Sequence, residues 1–294
     1  MDWQEELQEA KDLFESGIIS KEDFEELKAE CLRKRDTLVS YGLAEGAPSA
    51  DSENLELVHI SAGSFMMGVL SGGQDPNDWA TPRHEVEISR DFYVGKYQVT
   101  QKLWKEVMGN NPSQTIGENH PVTKMNWFKA IEFCNKLSEK EGKESVYTIN
   151  GENVTCNWEA KGYRLLTESE WEYCARGGEE HHYAGSNDVD EVAWHSEGAR
   201  GNTHPVGQKK PNGFGLHDMS GNACEWVWDW LGYKEYQKRS GKAVDPKGTK
   251  KDEHRVFRGG SYFEKTKNQQ CCYRNGLVPK HGQPYLGFRI MIPA

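Results

Sequence analysis

No stretch of the 294 residues approaches the ~18 consecutive apolar residues that a membrane-crossing helix requires. Positive charge is in deficit: 36 Lys and Arg stand against 46 Asp and Glu, a net of -10. That balance disfavours nucleic acid as a partner, because such binding rests on cation–phosphate pairing. The seven cysteines are odd in number and show no CxxC spacing, so neither a zinc site nor a disulfide framework is expected. Cys134 and Cys174 lie in helix-like apolar patterns and read as reduced, buried thiols. The opening MDWQEEL lacks a basic and then apolar leader. The expectation is a cytoplasmic protein if that start is native, and a cell-surface one if a leader was trimmed from it. Disorder is excluded by what is abundant: 10 Trp, 12 Tyr and 10 Phe need a core, and 30 Gly imply many turns.

The charge is uneven. Residues 1–40 hold 12 acids and 6 bases, a net of -6, which leaves -4 for the rest. This segment reads as a helical hairpin. Leu7, Ala10 and Phe14 fall at helical spacing, Gly17-Ile18-Ile19 interrupts, and Ser20 with Asp23 forms a capping signal before Phe24, Leu27 and Cys31. It resembles the short oligomerisation motifs at the ends of many bacterial proteins, so assembly through it is one expectation. Residues 41–53 (YGLAEGAPSADSE) read as a linker. From residue 54 to 294 the pattern is one α+β domain with few helices, short strands and much loop. Leu55–Ile60 reads as a strand, Gly63–Gly68 as a strand entering a turn, and 86–88 with 92–94 as strands paired across a polar turn. Thr100, Asn126 and Thr167 are N-caps of three helices, the last with Glu170 completing a capping box.

Ordered blocks then carry a family signature. They are GSFMMG (63–68), RLLTESEWEY (164–173), PNGFGLHDM (211–219), GNACEW (221–226), RGGSY (258–262) and LGFR (286–289). Together they resemble the formylglycine-generating enzyme (sulfatase-modifying factor) family, which implies a C-type-lectin-like fold of that type. In the enzyme, two cysteines five residues apart after the Gly-Gly-Ser turn oxidise a substrate cysteine with oxygen and copper. The matching positions here are Glu264 and Gln269. Neither supplies the thiolate that a soft copper ion demands, so no catalytic residue is assigned. Cys271 and Cys272 lie nearby but adjacent, which leaves a divergent oxidoreductase as an alternative. His181, His182 and His217 lack the spacing of the iron-binding branch and read as turn or surface residues.

The stretch from Arg258 to Arg289 resembles the variable region of diversity-generating retroelement proteins that use this fold. The resemblance fixes Arg258, Gly259, Gly260, Ser261, Tyr262, Arg274, Pro279, Leu286, Gly287, Phe288 and Arg289. Cys271, Cys272 and Gly282 depart from its usual residues. Between the fixed points, aromatic, acidic, basic and amide residues mix without an apolar period, as suits a contact surface on a rigid mount. The candidate ligand-binding residues are Tyr262, Phe263, Glu264, Lys265, Lys267, Asn268, Tyr273, Asn275, Leu277, Val278, Lys280, His281, Gln283 and Tyr285. Phe263, Tyr273 and Tyr285 are the expected anchors, and the expected partner is a macromolecule, a protein first. Asp218, Gly221, Ala223 and Glu225 match the family's calcium site. Two carboxylates and two backbone carbonyls would suit structural Ca2+, or Mg2+ in its place. Trp226, Trp228 and Trp230 alternate as in a strand with one buried face.

Overall fold

The structure, a computed structural model, describes residues 11–14, 16, 20, 21, 23–29, 55–71, 73, 77–239 and 241–294. The chain divides into two compact units, Met1–Ser49 with Ala294, and Ala50–Pro293. In the first, the Ser20 hydroxyl and amide both donate to Asp23, whose own amide donates to Ser20 Oγ, a reciprocal cap on the helical run that follows. Phe14 and Phe24 stack with centroids 5.0 Å apart, joining the two helical stretches. Leu7, Ala10, Ile18, Ile19, Cys31 and the linker lie outside the described residues.

The second unit is α+β, as expected. Helices α1 (Gln101–Met108), α2 (Trp127–Lys140) and α3 (Glu168–Arg176) begin at Thr100, Asn126 and Thr167, and each cap side chain accepts a hydrogen bond from the first turn. Thr167 and Glu170 close a full capping box. Trp127, Ile131, Cys134 and Leu137 on α2 all enter one core cluster, and Trp171 and Cys174 on α3 enter a second. Thirteen short strands are described: β1 (Leu57–Ile60), β2 (Gly63–Met67), β3 (His84–Ile88), β4 (Phe92–Gly95), β5 (Tyr147–Asn150), β6 (Asn153–Cys156), β7 (Arg164–Leu165), β8 (Cys224–Trp230), β9 (Ala243–Val244), β10 (Arg255–Arg258), β11 (Arg274–Leu277), β12 (Leu286–Phe288) and β13 (Ile290–Pro293). They form sheets in the orders β1-β4-β13-β7, β11-β10-β8-β12, β2-β3-β9 and β5-β6.

Two strand expectations are corrected. β3 and β4 do not pair; β3 lies between β2 and β9, and β4 between β1 and β13. The intervening turn is held outward, with Ser89 bonded to Asp245 and the Ala62 amide donating to Asp91 Oδ1 at 2.7 Å. β8 is buried on both faces. Trp226 packs on one side, while Glu225, Val227 and Asp229, which alternate with the tryptophans, are fully enclosed on the other.

Of these enclosed acids, Glu225 belongs to a set of ion pairs through the interior, while Asp229 Oδ2 accepts the Glu168 amide at 2.8 Å. Arg274 grips Glu168 with two parallel bonds of 2.7 and 2.6 Å. Arg258 Nη2 donates to Glu172, and its Nη1 lies 3.5 Å from Glu168. Arg176 bonds Glu172 at 2.9 Å and the Gly68 carbonyl at 2.6 Å. Arg289 bonds Glu225 at 3.0 Å and the carbonyls of Gly95 and His217 at 2.6 Å each. Glu168, Glu172, Glu225, Arg258, Arg274 and Arg289 are all 1% exposed or less. Burial opposes ionisation of Glu168, but Arg274 and Arg258 outweigh it and hold the carboxyl below its usual range.

Removing one partner of such a set strands the other charge. Glu168→Gln is therefore expected to cost about 3–5 kcal/mol, read by urea denaturation. The pH response separates two signs. Glu168, with a lowered pKa, stabilises the fold above about 4.5 and loses that contribution in acid. Burial and the neighbouring Glu168 charge push Asp229 the other way, from 3.8 to about 7. Its contribution is complete below about 4 and is lost as the pH rises through about 7. Asp229→Asn should thus flatten the fall in stability between about pH 4 and 7; an unchanged slope would refute the assignment.

Candidate functional site

The segment between β10 and β12 is pinned at three points by buried arginines. Arg258 also donates to the carbonyls of Cys271 and Cys272, at 2.9 and 3.1 Å. Arg274 reaches the carbonyls of Trp79 and Gly232. Arg289 closes the far end. Two loops hang between these pins, 259–273 and 278–285. The first begins with Gly259 and Gly260 at φ +92° and +67°. A Cβ on Gly260 would sit 2.5 Å from the Asn268 carbonyl, so both the backbone angle and the close approach call for glycine. The second loop is tied to the start of α2: the Lys124 amide donates to the Gln283 carbonyl at 3.0 Å, and the Trp127 amide to Pro279 at 3.1 Å. Gly282 faces the Lys124 carbonyl at 2.5 Å from a built Cβ, which explains glycine where the family pattern often has arginine.

The candidate residues separate by depth. Phe263, Lys265, Lys267, Lys280 and His281 are exposed. Glu264, Asn268, Asn275, Leu277, Val278, Gln283 and Tyr285 are half-buried. Phe263 is 67% exposed and stacks on Tyr285 across 6.0 Å with the rings 10° from parallel, joining one loop to the other. Tyr262 and Tyr273 are buried, and Tyr273, at 2% exposed, is not the surface anchor expected of it. Its hydroxyl donates to Glu264 Oε1 at 3.2 Å and receives Asn275 and Asn268 side-chain amides. Mixed composition does not tell which side chains turn inward. Leu277 packs against the first core cluster from the edge strand β11.

The two positions that would carry the enzyme's cysteines have structural partners instead. Gln269 Nε2 donates to the carbonyls of Ser261 and Glu264 at 3.1 Å each, and to Lys265 at 3.4 Å. Glu264 receives the Cys224 thiol at 3.2 Å beside Tyr273. Burial raises the Glu264 carboxyl above its usual range and holds Cys224 well above the ordinary thiol value, with the Glu264 charge adding to the latter. Cys271 and Cys272 are buried, their thiols facing the Ala175 carbonyl and Gln270 Oε1. Burial pushes them up to about 11 and 12. A cuprous ion binds thiolates, and a carboxylate, an amide and protonated buried thiols do not fit it. His217 is tied to the Lys209 carbonyl through Nδ1, and no metal-ligating group of His, Cys, Asp and Glu occurs among the described residues.

Asp218, Gly221, Ala223 and Glu225 do converge, but around protein donors. Gln98 Nε2 lies 2.7 Å from the Ala223 carbonyl, 3.2 Å from that of Asp218 and 3.4 Å from that of Gly221. Glu225 is taken by Arg289 and by Trp171 Nε1 at 2.8 Å. Asp218 Oδ2 accepts the Gly207 amide, Oδ1 is buried without a hydrogen-bond partner, and burial pushes the carboxyl up to about 6. An amide nitrogen and a hard cation attract the same carbonyls, and here the amide holds the centre. Gln98 Nε2 thus stands where the calcium or magnesium ion expected from the sequence would meet these carbonyls, and Gln98 Oε1, like Asp218 Oδ1, is buried without a partner. Gln98 was legible only through its contacts, not through any motif.

The matching of known families decides the relationship: the sulfatase-modifying factor enzyme 1-like domain matches residues 43–294. The chain belongs to the sulfatase-modifying factor family. A structure titled Treponema denticola variable protein 1 superposes with a TM-score of 0.76 at 31% identity, covering 84% of this chain and 98% of that one. The chaperone protein LppX of Paenibacillus barcinonensis is 38% identical over 232 residues, 65% of this chain and 78% of its own length. The formylglycine-generating enzyme of Bos taurus is 28% identical, over 83% of this chain and 75% of its own. This member of the family has an ion-paired interior, and it carries Glu264 and Gln269 where the sequence resemblance puts the enzyme's thiols.

Two outcomes follow. Gln269→Ala removes one donor from three carbonyls, so it should cost about 1–3 kcal/mol and raise amide exchange across 261–265. Melting temperatures in millimolar calcium and in EDTA should agree within about 1 °C; a rise of several degrees in calcium would show that Gln98 yields its place to a cation.

Proposed function

We propose that the protein is a non-enzymatic binding protein that presents loops 262–285 to a macromolecular ligand, a protein first. The carrying observation is the pairing of a rigid, arginine-pinned frame with exposed side chains that the frame does not need. Phe263, Lys265, Lys267, Lys280 and His281 make no contribution to the core clusters, whereas Arg258, Arg274 and Arg289 are fully enclosed. The likeness to the Treponema variable protein supports this reading, and so does the relative named a chaperone, a class of protein that binds polypeptide without transforming it. Loss of the thiol pair supports the absence of formylglycine chemistry. The Phe263–Tyr285 stack supplies the aromatic area that concentrates interface energy.

Incubated with copper and a cysteine-containing sulfatase peptide, the protein should consume no oxygen and form no aldehyde; aldehyde would restore the oxidoreductase alternative. A library randomised at 263, 265, 267, 280 and 281 should unfold cooperatively, with most members melting within roughly 3 °C of the parent. Members should differ in the peptides they bind. General collapse of such variants would mean these side chains hold the fold rather than display.

A further inference from the structure

The exposed charge on this face runs against that of the whole chain. The chain carries -10, yet Lys265 and Lys267 on the first loop and Lys124, beside the second, are exposed and make no ion pair among the described residues. Lys124 is placed there by its amide bond to the Gln283 carbonyl. Lys280 adds a cation but is neutralised by Glu152 at 2.6 Å. The carboxylate within the segment, Glu264, is half-buried and turned to Cys224, Tyr273 and Asn268, so it offers little charge to a ligand. The adjoining loop, joined by the Ser196 amide to the Glu264 carbonyl, contributes Glu197 and Arg200, one charge of each sign. Exposed cations therefore stand on both loops that carry the stacked Phe263 and Tyr285, or are bonded to them.

Resting on the display reading above, we propose that this face takes an acidic segment of a partner protein, with carboxylates over the lysines and an apolar side chain against the stacked rings. Charge complementarity selects that partner, and the aromatic pair supplies the contact area. A long polyanion would meet the net negative charge of the rest of the chain, whereas a short acidic segment meets the local cations.

The test pans a random peptide library of about twelve residues against the full chain and keeps peptides that wild type binds and Phe263→Ser, alone or with Tyr285→Ser, does not. Both variants are checked for a cooperative unfolding transition. The expected peptides are rich in Asp and Glu. Their affinity should fall about tenfold or more in the triple variant Lys124→Glu/Lys265→Glu/Lys267→Glu, and also on raising salt from about 50 to 300 mM. Face-dependent peptides that are neutral or basic, or indifferent to the reversal, overturn the acidic partner and leave display standing. Face-dependent binding of a single-stranded oligonucleotide in preference to any peptide likewise overturns it. If no peptide depends on the face, the display reading falls and this inference with it.

Discussion

The structure depends on charge held out of water. Glu168 and Glu172 on one side of α3 meet Arg258 and Arg274 at the ends of β10 and β11, while Glu225 on β8 meets Arg289 after β12. Pairs this deep gain little net stability over an apolar core, because each ion gives up its hydration. What they do supply is a strict penalty for misplacement. An arginine shifted by one residue along β10 would forfeit its bonds to Glu172 and Glu168 and leave its own charge without a partner in the interior. That penalty fixes where the segment between β10 and β12 starts, where it is held midway and where it ends, independently of the residues between.

The same clasp accounts for what could be read from sequence. The three arginines in the family pattern all have partners in the TESEWE and GNACEW blocks, so motifs distant in sequence are two halves of single contacts. Caps at Thr100, Asn126 and Thr167 were legible because a cap is settled within four residues. The β3–β4 hairpin was misread because each strand found a distant partner, Met67 to His84 in one case and Ile292 to Tyr93 in the other, and alternation does not reveal that choice. β8 was read as one-sided because its tryptophans alternate, but the acids between them are equally enclosed by arginine and backbone donors. The inward turn of Tyr273 depends on Glu264, and the place of Gln98 depends on three carbonyls more than a hundred residues away.

The two positions that the resemblance assigns to the enzyme's cysteines are occupied here by side chains with structural partners. At Gln269 a side-chain amide now braces the turn, and at Glu264 a carboxylate braces Tyr273 and Cys224. Both are ordinary polar contacts that keep the loop's shape while removing the groups that could bind copper. The frame's rigidity is compatible with either use, because preorganisation serves a ligand surface as well as a reaction centre.

Under the proposed display function, the parallel contact between Phe263 and Tyr285 limits how many surfaces this scaffold can offer. Since one ring rests on the other, a change at position 263 alters the footing of position 285, and selection acts on the two as a unit. The repertoire is therefore smaller than the product of the choices at the two loops. Combinations, rather than single substitutions, are the units by which new specificities would arise.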